Sequence, residues 1–423
     1  MLSRIGPLAW DFLALYGLQV GNFLIPLLTF PVLARALTPD SWAGLLAAQA
    51  LAIAVATVVE YGHNITATRR IAATSLPVDM LKIVRLVYVS KGLLASACLF
   101  LCGLAFALGW NHRPLNASLI LSGVAFGLFQ GSLPTWYFQG RQQARVAASV
   151  DMTFKGLAGL GMVIIALSFA RPEPVLWIQL GGVAITWALL TRRLVSDLGI
   201  ELWHGVPLRE VGHDLREGFA VFIFRLLGSS YTSALALILA AVVPPLSSAL
   251  ILTADRMAKV MPTLTVPFCQ ALYPRIVTSG SYATPQGVRR IFLSAIKVFA
   301  ALLIGSVVLY LLREPAVAFL VGEKYAAAAD IMAVTVWLMP FIGFNTVLFN
   351  FWVFPARRDA IANALLVVNA LISLGWVLFM AGRTNLPLYT FGISAAEVVI
   401  SGVLMLLVLR NLRYLLRLEV ANA

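Results

Sequence analysis

The sequence predicts an all-α membrane protein of about 12 transmembrane helices, arranged as two six-helix bundles related by a pseudo-two-fold along the membrane normal. Three observations carry this prediction. Of 423 residues, 61% are hydrophobic and 12% charged, and the mean hydropathy is +0.90. A water-exposed surface on a chain of this size needs more charge than that. The apolar residues gather into runs of roughly 20, enough for a helix to cross a hydrocarbon core of about 30 Å. These runs lack the alternation of membrane β-barrel strands. Finally, an ungapped offset of about 206 residues superposes Asp11 on Glu217, Pro39 on Pro245, Arg69 on Arg275 and Lys91 on Lys297.

In order, the spans read as 8–34, 43–66, 84–109, 115–139, 147–169 and 174–195 in the first half. The second half reads as 218–243, 246–273, 291–312, 328–355, 359–381 and 386–409. Short links carry turn residues: Thr38-Pro39-Asp40, Asn111 to Pro114, Arg171 to Pro174 and Pro244-Pro245. A longer charged link with Gly199, Gly205 and Pro207 divides the halves. The domains are therefore 1–198, a cytoplasmic linker 199–217, and 218–423. Ala34-Arg35-Ala36 mimics a signal-peptide cleavage site, but Asp11, Gln19, Pro26 and Pro31 precede it, so the first helix is expected to be retained.

The net charge of +13 would point to nucleic acid in a soluble protein; here its placement reads as topology instead. With the N-terminus inside, the cytoplasmic segments hold roughly three times as many Lys and Arg as the outer ones, so both termini are expected in the cytoplasm. A charge at mid-bilayer costs roughly 2.5–3.5 kcal/mol on insertion scales and should face a wet cavity or a partner. Asp255 can neutralise Lys259 and Asp151 can neutralise Lys155, each four residues apart on one helix face. Lys91, Arg225, Arg256 and Lys297 have no such local acid. A cavity lined by these cations should attract an anion, with phosphate or pyrophosphate the leading candidate; snorkelling to cytoplasmic headgroups is the competing account.

Glu397 stands alone in an apolar helix, a candidate for ion coupling together with Asp255, or a hydrogen-bond acceptor from Tyr389 or a partner for a distant cation. Glu60 reads as a boundary residue at the cytoplasmic end of the second span. Asn64, Gln130, Trp136, Tyr137 and Asn345 suit a hydroxyl-rich, flat-faced ligand such as a sugar, although interfacial anchoring and helix–helix hydrogen bonding use the same residue types. Pro26 and Pro31, and Pro262 and Pro267, permit bends. Cys98, Cys102 and Cys269 read as small core residues with no metal site, and the four histidines form no cluster. No phosphate-cradling Gly-rich loop, HExxH or nucleophile elbow is present, so neither catalysis nor a cofactor is expected.

One set of motifs goes further. Asn22 to Arg35 followed by Thr38-Pro39-Asp40 and Gly44, then Tyr61-Gly62-His63-Asn64 with Thr68-Arg69, resembles the N-terminal signature of polysaccharide-repeat-unit flippases, the O-antigen or Wzx-type group. In the second half, Glu217-Gly218-Phe219, Ala254 to Met257, Gln270 to Arg275 and Phe319 to Tyr325 agree with the same group. The chain departs from the pattern at Asp255-Arg256, where Glu-Lys is commoner, and in the short loop at 242–246. The resemblance implies the multidrug/oligosaccharidyl-lipid/polysaccharide exporter fold with a cationic lumen and no ATP use. It implies an undecaprenyl-pyrophosphate-linked oligosaccharide as substrate, flipped from the cytoplasmic to the periplasmic leaflet of a bacterial inner membrane. The implied partners are the lipid-linked oligosaccharide, membrane lipid, and a polysaccharide polymerase with its chain-length regulator, with no nucleic acid. A multidrug or other lipid-linked precursor exporter of the same superfamily is the rival reading; a drug exporter should carry an acidic cavity, whereas cations dominate here.

Overall fold

The computed structural model describes residues 25–74, 76–108, 115–199 and 206–421. Among them the chain is helical with no strand. The described part of α1 runs Ile25–Ala36. It is followed by α2 (Pro39–Glu60), α3 (His63–Ala72), α4 (Pro77–Ala107), α5 (Ala117–Ser132), α6 (Thr135–Gly140), α7 (Ala144–Phe169) and α8 (Pro172–Leu198). Next come α9 (Leu208–Val242), α10 (Pro245–Thr263), α11 (Thr265–Ser279), α12 (Pro285–Leu311) and α13 (Arg313–Val321). The last are α14 (Ala328–Thr335), α15 (Leu338–Leu348), α16 (Asp359–Met380) and α17 (Leu386–Ala421).

The turn residues read from the sequence act as helix starts. Thr38 caps α2, its hydroxyl accepting from the Ser41 amide at 3.3 Å, and Pro39 occupies the first turn. Pro77, Pro172, Pro245 and Pro285 open α4, α8, α10 and α12 in the same way. Proline lacks an amide hydrogen, and the first helical turn has no acceptor for one. Pro39 and Pro245, superposed by the internal offset, thus begin equivalent helices.

Among the described residues, eight helices are long and apolar enough to span a membrane, and α14 with the segment Leu338–Val353, bent by 43°, makes a ninth when the pair is counted as one span. These match nine of the expected spans and make the chain a multi-pass membrane protein. The segments 8–34, 218–243 and 246–273 are not among the nine. The first lies mostly outside the described residues, and α10 carries Asp255, Arg256 and Lys259 within its length.

Contacts divide the chain into two compact units, Met1–Ala241 and Val242–Ala423. Residue 218, where the sequence opens the second bundle, lies inside α9, and α9 packs with the first unit. The reason is a stripe along one face of α9. Gly218 lies against the Tyr61 ring, where a side chain would come within 3.3 Å, and Val221 fills the space above Gly62. Phe222 stacks on Tyr61 with ring centroids 4.4 Å apart. Tyr61 and Gly62 both have positive φ, 47° and 78°, and make the break between α2 and α3 that this stripe grips.

Within the first unit, α5 lies close along α2. Gly123, Gly127 and Gly131 face the backbone of Ala48, Ala52 and Ala56; a Cβ on them would meet those carbonyl oxygens at 2.8, 2.5 and 2.7 Å. Residues four apart share a helix face, so this run of small residues lets two backbones touch where lipid supplies no hydrophobic drive.

Candidate functional site

Polar side chains inside each unit are few, and they gather. In the first unit Lys91 on α4 is only 2% exposed and its Nζ donates to the Gly131 carbonyl at 2.8 Å. That carbonyl is available because α5 ends at Ser132 and no further helical amide reaches back to it. Glu60, at the end of α2, lies within electrostatic reach of Lys91 and accepts from Arg225 of α9 at 3.0 Å. Arg225 therefore has an acid partner that sequence spacing did not reveal, contributed by another helix. The Arg225 side chain remains 38% exposed.

One face down α9, a denser cluster forms. Asp214 accepts from Arg70 Nη1 at 2.7 Å on one oxygen, and from His63 Nε2 and Ser90 Oγ, both at 2.9 Å, on the other. Arg70 Nη2 reaches Glu217 at 2.7 Å. His63 Nδ1 lies 2.8 Å from the Glu60 carbonyl oxygen, so both ring nitrogens face acceptors. Burial by itself pushes the Asp214 carboxyl up. The hydrogen bonds from His63 and Ser90, with the charges of His63 and Arg70, outweigh burial and hold it at about 2. The sequence left His63 as an isolated helix-end residue; the fold makes it part of a four-element ion cluster.

Lys155 pairs with Asp151 at 2.6 Å on α7, as their spacing implied. Trp136 and Tyr137 are fully buried in an apolar cluster with Ala67, Val87, Tyr88 and Leu133, so the structure places both in the core of the unit rather than on an open wall. Asn64 accepts from Thr135 Oγ1 at 3.3 Å, and Gln130 is half-buried on α5.

In the second unit Asp255 and Lys259 pair on α10 with contacts of 2.7 and 2.8 Å, and Arg256 is half-buried beside them. Glu397 on α17 is buried and held by two amides: Asn345 Nδ2 of α15 donates at 2.7 Å and Asn369 Nδ2 of α16 at 2.8 Å. The amides are oriented in turn by Ser401 Oγ on Asn345 Oδ1 at 2.8 Å and Ser373 Oγ on Asn369 Oδ1 at 3.0 Å. Tyr389 is not the partner of Glu397; its hydroxyl donates to the Met380 carbonyl. Asn345 thus sits in this network as one of two donors to the carboxylate, with a serine hydroxyl behind each amide. Lys297 lies on the exposed face of α12 with Leu293 and Ile304, opposite the packed face of Ile291, Ala295 and Ser306. The structure brings Arg225 to Glu60, with Lys91 in electrostatic reach, and pairs Asp255 with Lys259 and Asp151 with Lys155.

The comparisons with known proteins bear on what such polar centres serve. The family model described as "Polysaccharide biosynthesis protein" matches residues 8–279. The chain belongs to that family. The resemblance drawn from Tyr61 to Arg69 and the neighbouring motifs therefore holds. Family relatives include a candidate O-antigen transporter of Escherichia coli (strain K12), 27% identical over 61% of this chain and 62% of that protein. Another, from Shigella dysenteriae, is 23% identical over 86% of this chain and 90% of that one. Among solved structures, the lipid II flippase MurJ in an inward closed conformation superposes with a TM-score of 0.73 at 12% identity, over 96% of this chain and 89% of that one. An inward-facing multidrug resistance MATE family transporter of the MOP superfamily gives 0.61 at 13% identity, over 95% of each chain. At such low identity these likenesses show a shared fold. The curated relatives of the family are transporters, not catalysts.

Proposed function

We propose that this chain is a flippase. It translocates undecaprenyl-pyrophosphate-linked oligosaccharide repeat units, of O-antigen or exopolysaccharide type, from the cytoplasmic to the periplasmic leaflet of the bacterial inner membrane by alternating access. The observation that carries the reading is the pair of cations borne on apolar helices near Glu60, the buried Lys91 and the partly exposed Arg225, in a chain of the polysaccharide biosynthesis protein family. An ammonium and a guanidinium brought near one another suit a phosphorylated headgroup, which offers several charged acceptors at once. Arg256 and Lys259 extend the cationic set in the second unit, and Lys155 in the first. Both termini lie in the cytoplasm in this scheme. A polymerase and a chain-length regulator act downstream on the delivered units.

Direction requires a free-energy source. Glu397, enclosed by Asn345 and Asn369, and Asp255, paired with Lys259, are the acids available for coupling to an ion gradient. Asn64 and Gln130 remain the candidates for sugar contact. Reconstitution into liposomes with short prenyl-pyrophosphate glycans tests the reading. K91A and R225A should each abolish translocation while inserting normally, and full activity in both would reject the anion-site mechanism. An E397Q variant should lose its dependence on the pH gradient; unaltered dependence would take Glu397 out of the coupling scheme.

A further inference from the structure

The Glu60–Arg225 contact is incomplete on both sides. Arg225 spends one nitrogen on Glu60, at 3.0 Å, and its side chain is 38% exposed, so most of a five-donor fork is still open. Glu60 is 15% exposed, and its second oxygen, Oε1, is buried without a hydrogen-bond partner. Lys91, within electrostatic reach of Glu60, is buried with the Gly131 carbonyl as its hydrogen-bond acceptor, although an ammonium has three donors to place. An acid that saturates neither cation, and is itself unsaturated, is poorly explained as a structural staple, because buried polar groups are normally fully bonded. Contrast Asp214, where both oxygens are engaged by three donors.

We infer that Glu60 is the resident counter-anion of the Lys91–Arg225 pair, occupying Arg225 between substrates and yielding it to the phosphate of an arriving lipid headgroup. The inference rests on the anion-binding reading above and gives a role to a residue that the sequence left as a span boundary. The chemistry is competition. A phosphate presents several charged oxygens to the guanidinium fork and can be gripped by two parallel bonds, whereas Glu60 holds Arg225 through one. While the site is empty, Glu60 lowers the cost of keeping two cations among apolar helices. Once phosphate arrives, the freed carboxylate stays within electrostatic reach of Lys91 and supplies the repulsion that helps the anion leave. Glu60 is thus a positioning residue that trades affinity for release.

The test uses the full chain purified in detergent, titrated with inorganic pyrophosphate and with a short-chain prenyl pyrophosphate. E60Q is expected to bind both roughly two- to fivefold more tightly than wild type, the range set by a competing, partly exposed ion pair. R225A should bind weakly, and E60Q/R225A no more tightly than R225A alone. A merely structural glutamate would not tighten binding when removed. Tightening that persists without Arg225 would show only a general change of field, and equal or weaker binding by E60Q would show no competition; either overturns the inference. Wild-type affinity in both R225A and K91M is a different failure, since it removes the anion site itself. As a measurement independent of variant folding, a wild-type structure with pyrophosphate bound should show Arg225 and Glu60 separated beyond hydrogen-bonding distance. Phosphate on Arg225 with that contact intact would also overturn it.

Discussion

Asp214 illustrates how single residues carry the first unit. Its carboxylate is almost wholly buried and satisfied by Arg70, His63 and Ser90. Removing one member of such a set strands the others, a cost of about 3 kcal/mol or more when charges are left unpaired in the interior. D214N is therefore expected to lower the thermal unfolding temperature in detergent near neutral pH, read by intrinsic fluorescence. The sign with pH follows from the lowered carboxyl. The native group titrates at about 2 and the free group at 3.8, so its contribution is full above the free value and is lost as pH falls through about 2. The wild-type and D214N unfolding temperatures should converge across that interval; a constant difference down to pH 2 would contradict the assignment. No local pattern links Asp214 to His63 and Arg70, because 151 and 144 residues separate it from them along the chain.

At the scale of elements, the contact of α2 with α5 sets the depth at which Lys91 finds its acceptor. Gly127 approaches Ala52 so closely that any side chain must displace one helix. G127L is expected to cost about 1–3 kcal/mol through overpacking and to shift Gly131 off Lys91, measurable as reduced thermal stability and weaker pyrophosphate binding together. The signal was present in the sequence as glycines at 123, 127 and 131, but small residues at four-residue spacing identify a packing face without naming the partner. Lys91 and Lys297 show the complementary lesson. They superpose by the internal offset, yet one is buried and the other exposed. Pro285 lies two residues further from Pro77 than that offset allows, and two residues turn a helix by about 200°. Counted from the start of their helices, the two lysines therefore point in opposite directions.

For the molecule as a whole, topology is the property most open to measurement. The excess of Lys and Arg in alternate loops predicts that a reporter fused after Ala423 is active in the cytoplasm and silent outside it. A reporter in the outer loop at 313–325 should show the opposite pattern. Reversal of both would invert the leaflet from which substrate is taken. The division into Met1–Ala241 and Val242–Ala423 places α9 with the first unit, so Arg225 and Glu60 belong to one body, and their contact is internal to it.

By itself the sequence determined the solvent, the helical class, most span positions, the helix starts at prolines and the family, because each depends on composition or on residues adjacent in the chain. It also identified the pairs Asp151–Lys155 and Asp255–Lys259, which one helical turn brings together. Tertiary structure decided which acid faces Arg225, which amides hold Glu397, and that Trp136 and Tyr137 serve the core. Those outcomes depend on which faces of distant helices meet. A few degrees of rotation about each helix axis decides that, and no local pattern encodes it.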